Sequence, residues 1–277
     1  MNDLTIPDIK RPRQSHSASR VHDVLIVGAG FAGLGSAIRL QQSGVRDILI
    51  LERGSEVGGT WRDNQYPGAA CDIPSNLYSY SFAQNPQWSR GFSGAAEILG
   101  YVHHLVARFD LHRLIEFNRN VTSMSFDEDS GLWTVSTEQG EPLRARNVVM
   151  GQGPLSNASF PNISGIEDYK GKKIHSARWD HDYDFRGKRV AVVGTGASAI
   201  QIVPELVKQA ATVKVFQRTP AWVMPRPDYV SPEWSKSLFS KFPLSQTAFR
   251  ELLYWVHESM AVGVVWTTPV TRLFERL

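Results

Sequence analysis

The 277-residue sequence holds one cysteine, Cys71. A single thiol closes no intrachain disulfide, so nothing in the sequence calls for an oxidising compartment. Charge of one sign is also scarce. Thirty Lys and Arg stand against 27 Asp and Glu, a net +3, too small and dispersed for a nucleic-acid surface. Metal-ligand spacing is missing: His103 and His104 are adjacent, flanked by helix-like apolar spacing, with no third ligand at a recurring offset. They are assigned to the surface, and no metal is expected. Long apolar runs are missing too. The nearest, LLYWVHESMAVGVVWTTPV, contains His257 and Glu258 and is interrupted by Pro269, which predicts a buried or lid-forming helix rather than a membrane span. No secretory apolar segment follows Met1, and the cytoplasm is the default location. Residues 1–20 are polar and aperiodic and read as a flexible tail, with a transit peptide as the alternative.

What is present is a hydrophobic content of 42%, enough to bury a sizeable core and form two domains. The run DVLIVGAGFAGLGSAIRLQQSG gives a short β-branched strand, then Gly28, Gly30 and Gly33, then a helical pattern closed by Gly44, and DILILE follows as a second strand. This is the βαβ order of a dinucleotide site. Gly28 permits the tight turn, Gly30 lets the backbone approach a pyrophosphate, and Gly33 lets helix and strand pack closely, while the helix N-terminus offers amide donors. Glu52 ends the second strand, where a carboxylate accepts from ribose hydroxyls. The alternative is a tight turn without a ligand.

A second unit repeats the plan in RVAVVGTGASAIQIVPELVKQAATVKVFQRTP, with Ala199 in place of the third glycine. Counted from the first glycine of each turn, Gly28 and Gly194, Arg218 falls at the offset that Glu52 holds in the first unit. An acid there suits a free 2′-hydroxyl, and an arginine offers donors to a 2′-phosphate. The first unit is therefore expected to bind a cofactor such as FAD and the second NADP. A solvated charge at a strand end is the alternative reading of Arg218. The fold class is α/β, with two Rossmann-like dinucleotide-binding domains of three-layer βαβ units. The expected boundaries are a tail over 1–20, an FAD-binding domain over 21–155, and a linker plus NADP-binding domain over 156–277.

Between the turns, GGTWRDNQYPGAACDIPSNLYSYSF is rich in Gly, Pro, Asn and aromatics and has no regular period; such long irregular segments are usually functional. Gly58, Gly59, Trp61, Tyr66, Pro67, Gly68 and Asp72 meet every fixed position of a signature of the class B flavoprotein monooxygenases, and the sequence resembles the Baeyer–Villiger monooxygenases among them. A second stretch, YKGKKIHSARWD, resembles that family's other fingerprint. Gly171, His175, Trp179 and Asp180 are in place and Tyr169 stands where phenylalanine is usual. Related N- and S-oxidising flavin monooxygenases usually carry tyrosine at the place of Trp179; they remain an alternative.

The resemblance implies that NADPH reduces FAD and that O2, activated on the reduced flavin, is inserted beside the carbonyl of a ketone to give an ester or lactone. Carried over by motif, Asp72 lies near flavin and nicotinamide and orients an arginine. Thr60, Trp61 and Tyr78 line the flavin site, Glu52 binds the adenosine ribose, and Val121 meets the adenine through its backbone. Gly194, Thr195, Gly196, Ser198 and Gln201 sit by the NADP pyrophosphate, and Thr219 follows Arg218. His175 and Trp179 couple nicotinamide movement to the flavin, unless they simply cap and pack a linker. Cys71 has no partner thiol, which sets the chain apart from the flavin disulfide reductases. Family members continue past Leu277, so the fold is expected to be C-terminally incomplete, ending inside a helical insertion. None of Arg226, Arg250, Arg272 and Arg276 lies in the sequence context of the family's active-site arginine. The 277-residue chain is thus not expected to convert ketones at a useful rate, and a catalytically incomplete FAD/NADP-binding fragment is the competing reading.

Overall fold

Strand β1 (Val21–Val27) buries four of its last residues, Val24 to Val27, on both faces, as expected of a central parallel strand. In the computed structural model, which describes residues 20–220 and 226–265, it is followed by α1 (Phe31–Gln42) and β2 (Ile48–Leu51). A one-turn helix α2 (Thr60–Asp63) opens the irregular segment, and α3 (Ala95–Arg108) closes it. Four strands follow, β3 (Ile115–Glu116), β4 (Val121–Asp127), β5 (Leu132–Thr137) and β6 (Leu143–Met150). They form one six-stranded sheet in the order β3-β2-β1-β6-β5-β4. The first four are parallel, and β5 runs antiparallel to both β6 and β4.

Alternation along β1 divides the core between the two faces of this sheet. Val24 and Ile26 pack with Leu34, Ala37 and Ile38 of α1 and with Val102 and Val106 of α3. Leu25 turns the other way, against Leu49, Leu51, Val135 and Leu143. Gly33 is where α1 meets the sheet: a Cβ there would lie 1.8 Å from the carbonyl oxygen of Gly28.

The second unit comprises β7 (Arg189–Val193), α4 (Ala197–Val207) and β8 (Thr212–Phe216), with β7 and β8 parallel. Its apolar cluster draws on both units, because Tyr66 of the irregular segment is buried with Phe185, Ile202 and Leu206, and Trp179 packs against them. Two helices follow, α5 (Glu233–Lys241) and α6 (Pro243–Val265). They lie on the irregular segment: Gln246 is buried and donates to Asn76 Oδ1 at 2.8 Å and to the Asn85 carbonyl at 2.7 Å. The outer face of α6 is open, with Leu252 and Trp255 exposed. Among the described residues no helix is long and apolar enough to cross a membrane. The tail expected over 1–20 lies outside the described residues except for Arg20, as do Pro269, Arg272 and Arg276.

Candidate functional site

The first glycine turn opens a cleft of about 320 Å3, lined by Gly28, Gly30, Phe31, Glu52, Trp61 and Val121 among others. The Gly28 amide donates to the Leu51 carbonyl at 2.8 Å, which closes the turn onto β2. Gly30 is the N-cap of α1; no side chain caps this helix and no acid stands in its first turn. By contrast α3 and α5 carry Glu97 and Glu233 there. An uncapped, acid-free helix N-terminus facing a cleft offers orphan amides and a positive end to an anion. A Cβ on Gly30 would meet only Gly59 Cα, at 3.7 Å, so the space beside it is open to a phosphate.

Glu52 is 3% exposed. Its Oε2 accepts from the Ala29 amide at 2.7 Å, and its Oε1 from the Gly54 amide and Arg62 Nη1, each at 2.8 Å. Arg62 is shared with Asp63, whose Oδ1 accepts from Nε at 2.8 Å. Burial pulls the Arg62 pKa down, but the bonds to Asp63 and Glu52 outweigh it and leave it above the ordinary arginine value. Both charges tolerate removal from water because each is bonded on several sides. Thr60, Trp61, Tyr78 and Val121 all line this cleft, so the structure brings the sequence-derived flavin-side residues together around one space. Trp61 Nε1 donates to the Tyr78 hydroxyl at 3.0 Å, and the two rings stand edge to face at 5.4 Å. Phe31 lies 5.1 Å from the Tyr78 ring. This chain's residues fit a dinucleotide that brings a ribose, a pyrophosphate and a flat aromatic ring.

Cys71 lies below this wall, buried with Trp88, Ile98 and Tyr101. Burial pushes its thiol up to about 11, so only about one molecule in a thousand carries the thiolate at pH 8. Iodoacetamide is expected to leave Cys71 unmodified in the folded chain and to label it once denaturant is added; mass spectrometry after timed quenching reads the difference. Rapid labelling of the native chain would contradict this burial.

In the second unit the Gly194 amide donates to the Phe216 carbonyl at 2.9 Å, as Gly28 does to Leu51. Strand pairing sets Val27 opposite Leu51 and Val193 opposite Phe216. The residue that matches Glu52 is therefore Gln217, not Arg218, because the second unit reaches its strand end one residue sooner. Counting from the glycines misplaces Arg218 by one; it corresponds to Arg53. Arg218 and Thr219 are exposed just past β8, and Thr195 and Ser198 are half-buried in the turn and first turn of α4. Like α1, α4 has a glycine N-cap, Gly196, with no capping side chain and no acid in its first turn.

Gln201, expected beside a pyrophosphate, is turned instead toward the irregular segment. Its Nε2 donates to Asp72 Oδ1 and to the Ala70 carbonyl, each at 3.0 Å. Its Oε1 accepts from the Tyr66 hydroxyl at 3.0 Å and the Ala70 amide at 3.2 Å. Gly68 makes room for this contact, since a Cβ there would come within 2.7 Å of the Gln201 carbonyl oxygen. Asp72 also lies 4.0 Å from Arg226 Nη1. Arg226 donates to the Cys71 carbonyl at 3.4 Å, with its guanidinium carbon 5.6 Å from the centre of the Phe92 ring. Arg226, one of the late arginines that sequence context left unassigned, is thus brought by folding to 4.0 Å from Asp72.

The second fingerprint lies along a broad open depression lined by Phe160, His175, Arg178 and Trp179 among others. His175 Nδ1 accepts from the Ala177 amide at 3.1 Å, and its ring meets Phe160 edge-on at 5.6 Å. Trp179 stacks on Phe185 at 5.4 Å. Here the pair caps a turn and packs the linker onto the second unit. Arg62 and Phe31 escaped sequence reasoning although both stand inside the quoted motifs. Each occupies a variable position there, and only an unpaired acid, Glu52, hinted that a cation was required. Among the described residues no group of three His, Cys, Asp or Glu is placed to hold a metal ion.

A family model described as pyridine nucleotide-disulphide oxidoreductase matches residues 25–242. The chain belongs to the pyridine nucleotide-disulphide oxidoreductase family. The 277-residue sequence holds one cysteine, so it carries no thiol pair. A Baeyer–Villiger monooxygenase of Pseudomonas aeruginosa is 44% identical over 261 residues, which are 94% of this chain and 50% of that protein. A steroid monooxygenase solved in its oxidised form with NADP bound is 41% identical with a TM-score of 0.73, covering 80% of this chain and 43% of that one. The structure of OTEMO in complex with FAD and NADP is 35% identical with a TM-score of 0.75, covering 80% and 44%. The chain spans about half the length of the curated relatives it matches.

Proposed function

We propose that this chain forms the FAD-binding and NADP-binding units of a Baeyer–Villiger-type flavin monooxygenase, which uses NADPH and O2 to insert an oxygen atom beside a ketone carbonyl. The observation that carries this reading is the Gln201 bridge: the signature loop that borders the flavin cleft is tied, through Tyr66, Ala70 and Asp72, to the helix of the second glycine turn. Dinucleotide units that merely coexist on one chain have no need of such a tie. Relatives named as Baeyer–Villiger monooxygenases, and neighbours solved with FAD and NADP, support the same assignment.

In this reading the amides at the start of α1 hold the FAD pyrophosphate, Glu52 accepts from the ribose, and Val121 borders the adenine. The Trp61–Tyr78 wall confines the flavin end of the cleft. Bound FAD supplies hydride acceptance and oxygen activation, chemistry that no side chain here possesses. Thr195 and Ser198 border the NADP pyrophosphate, and Arg218, exposed beyond β8, meets the 2′-phosphate. Asp72, held by Gln201 and facing Arg226, sets the charge between the two units. His175 and Trp179 keep the linker seated on the second unit while nicotinamide is exchanged.

Chain loaded with FAD and mixed anaerobically with NADPH is expected to lose its oxidised flavin absorbance. Admission of air with a panel of cyclic and aromatic ketones is expected to give little ester or lactone from the 277-residue chain alone, read by gas chromatography, because it spans about half the length of its relatives. Sustained ester formation would show that the chain carries the whole reaction. Oxygenation confined to amines or sulfides would favour N- or S-oxidation, and failure to bind FAD would end the proposal.

A further inference from the structure

Residues 74–78 make a hydrogen-bonded turn in which the Leu77 and Tyr78 amides both donate to the Pro74 carbonyl, at 2.8 and 3.0 Å. Such a turn leaves its later carbonyls without donors from within the turn, as polar groups that must be answered from elsewhere. One guanidinium nitrogen, sharing its two hydrogens, reaches three of them. Arg250 Nη1 donates to the carbonyls of Asn76, Leu77 and Ser79, at 2.8, 2.9 and 3.1 Å. Arg250 is half-buried and belongs to α6, more than 170 residues further along the chain. Tyr78, whose ring borders the flavin cleft and whose hydroxyl accepts from Trp61, lies between the gripped carbonyls. Nothing else among the described side chains donates to these three oxygens.

We propose that Arg250 is the positioning residue for the aromatic wall of the flavin cleft: by capping the turn on both sides of Tyr78, it fixes from α6 the angle at which the Trp61–Tyr78 pair meets the cofactor. The inference rests on the flavin reading of the cleft. It makes docking of α6 and the shape of the flavin site a single event, because the cation that seats the helix also aims the ring. A positive charge suits the place, since three carbonyls converge where an apolar side chain would strand them.

The test compares the full 277-residue chain with Arg250→Ala and with Thr247→Ala, a control whose surface hydroxyl accepts from Gln84 and touches none of the Asn76–Ser79 carbonyls. Without FAD, hydrogen exchange at the Leu77 and Tyr78 amides should quicken in Arg250→Ala only. In FAD titrations Arg250→Ala should bind roughly tenfold more weakly, with an altered shape of the visible flavin band, while Thr247→Ala matches the parent. If Arg250→Ala does not fold, Arg250→Gln, which removes the charge and keeps an amide donor, carries the same expectations. Parental FAD affinity and spectrum in the Arg250 variant would overturn the proposal, even with faster exchange, by reducing Arg250 to a structural cap. A parent chain with normal amide protection that binds no FAD would overturn the flavin reading itself, and this proposal with it.

Discussion

Gly30→Val is expected to leave the chain folded and unable to retain flavin. The space beside Gly30 opens on the cleft, and a Cβ meets only Gly59 Cα at ordinary contact distance, 3.7 Å, so the added Cβ clashes with no protein atom. It then stands where the pyrophosphate must approach the amides of α1, and affinity for FAD should fall by on the order of a hundredfold or more, about 2.8 kcal/mol. Gly33→Ala supplies the contrast. Its Cβ would sit 1.8 Å from a backbone oxygen, which no rotamer change relieves. The cost should exceed the roughly 1 to 3 kcal/mol usual for overpacking and take up much of a domain's ~5 to 15 kcal/mol of stability. Circular dichroism with flavin fluorescence separates the two outcomes: native ellipticity without FAD for Gly30→Val, lost or early-melting ellipticity for Gly33→Ala. Flavin copurifying undiminished with Gly30→Val would refute the assignment of this turn.

Arg218→Ala is expected to erase most of the preference for NADPH over NADH. The lost charge-assisted contact should cost roughly 1.5 to 3 kcal/mol, about ten- to a hundredfold in affinity for NADPH, with little change for NADH. Because Arg218 is exposed, the difference should shrink as ionic strength rises. Strand register adds a second arm. Gln217, not Arg218, occupies the place of Glu52, so Gln217→Glu should set a carboxylate against the 2′-phosphate and lower NADPH affinity while favouring NADH. Binding titrations with both nucleotides decide it. An unchanged preference in Arg218→Ala would show that the phosphate is met elsewhere.

Local order in the chain sufficed for the parts of this protein that are built locally. Strand, glycine turn, helix and strand follow one another at fixed short spacing, and the close approach of Gly33 to Gly28 is a consequence of residues near in sequence, whereas the burial of Val24 to Val27 also draws on α3, β5 and β6. The resemblance to the family signature, not a local period, picked out Thr60, Trp61, Tyr78 and Val121, which the fold gathers around one cleft. The single-residue slip at Arg218 marks the boundary of that reasoning. A count along the chain assumes equal connections, whereas register is set by hydrogen bonds between β7 and β8. Contacts between distant segments had no periodic signature. Tyr66 is buried in the second unit's cluster, Gln201 is drawn off the nucleotide turn to Asp72, and Arg226 arrives beside that carboxylate. Arg62 at Glu52 and Arg250 at the Asn76–Ser79 carbonyls are of the same kind. Glu52 is a carboxylate that packing has removed from water, and which donor answers it depends on what the folded chain brings within reach.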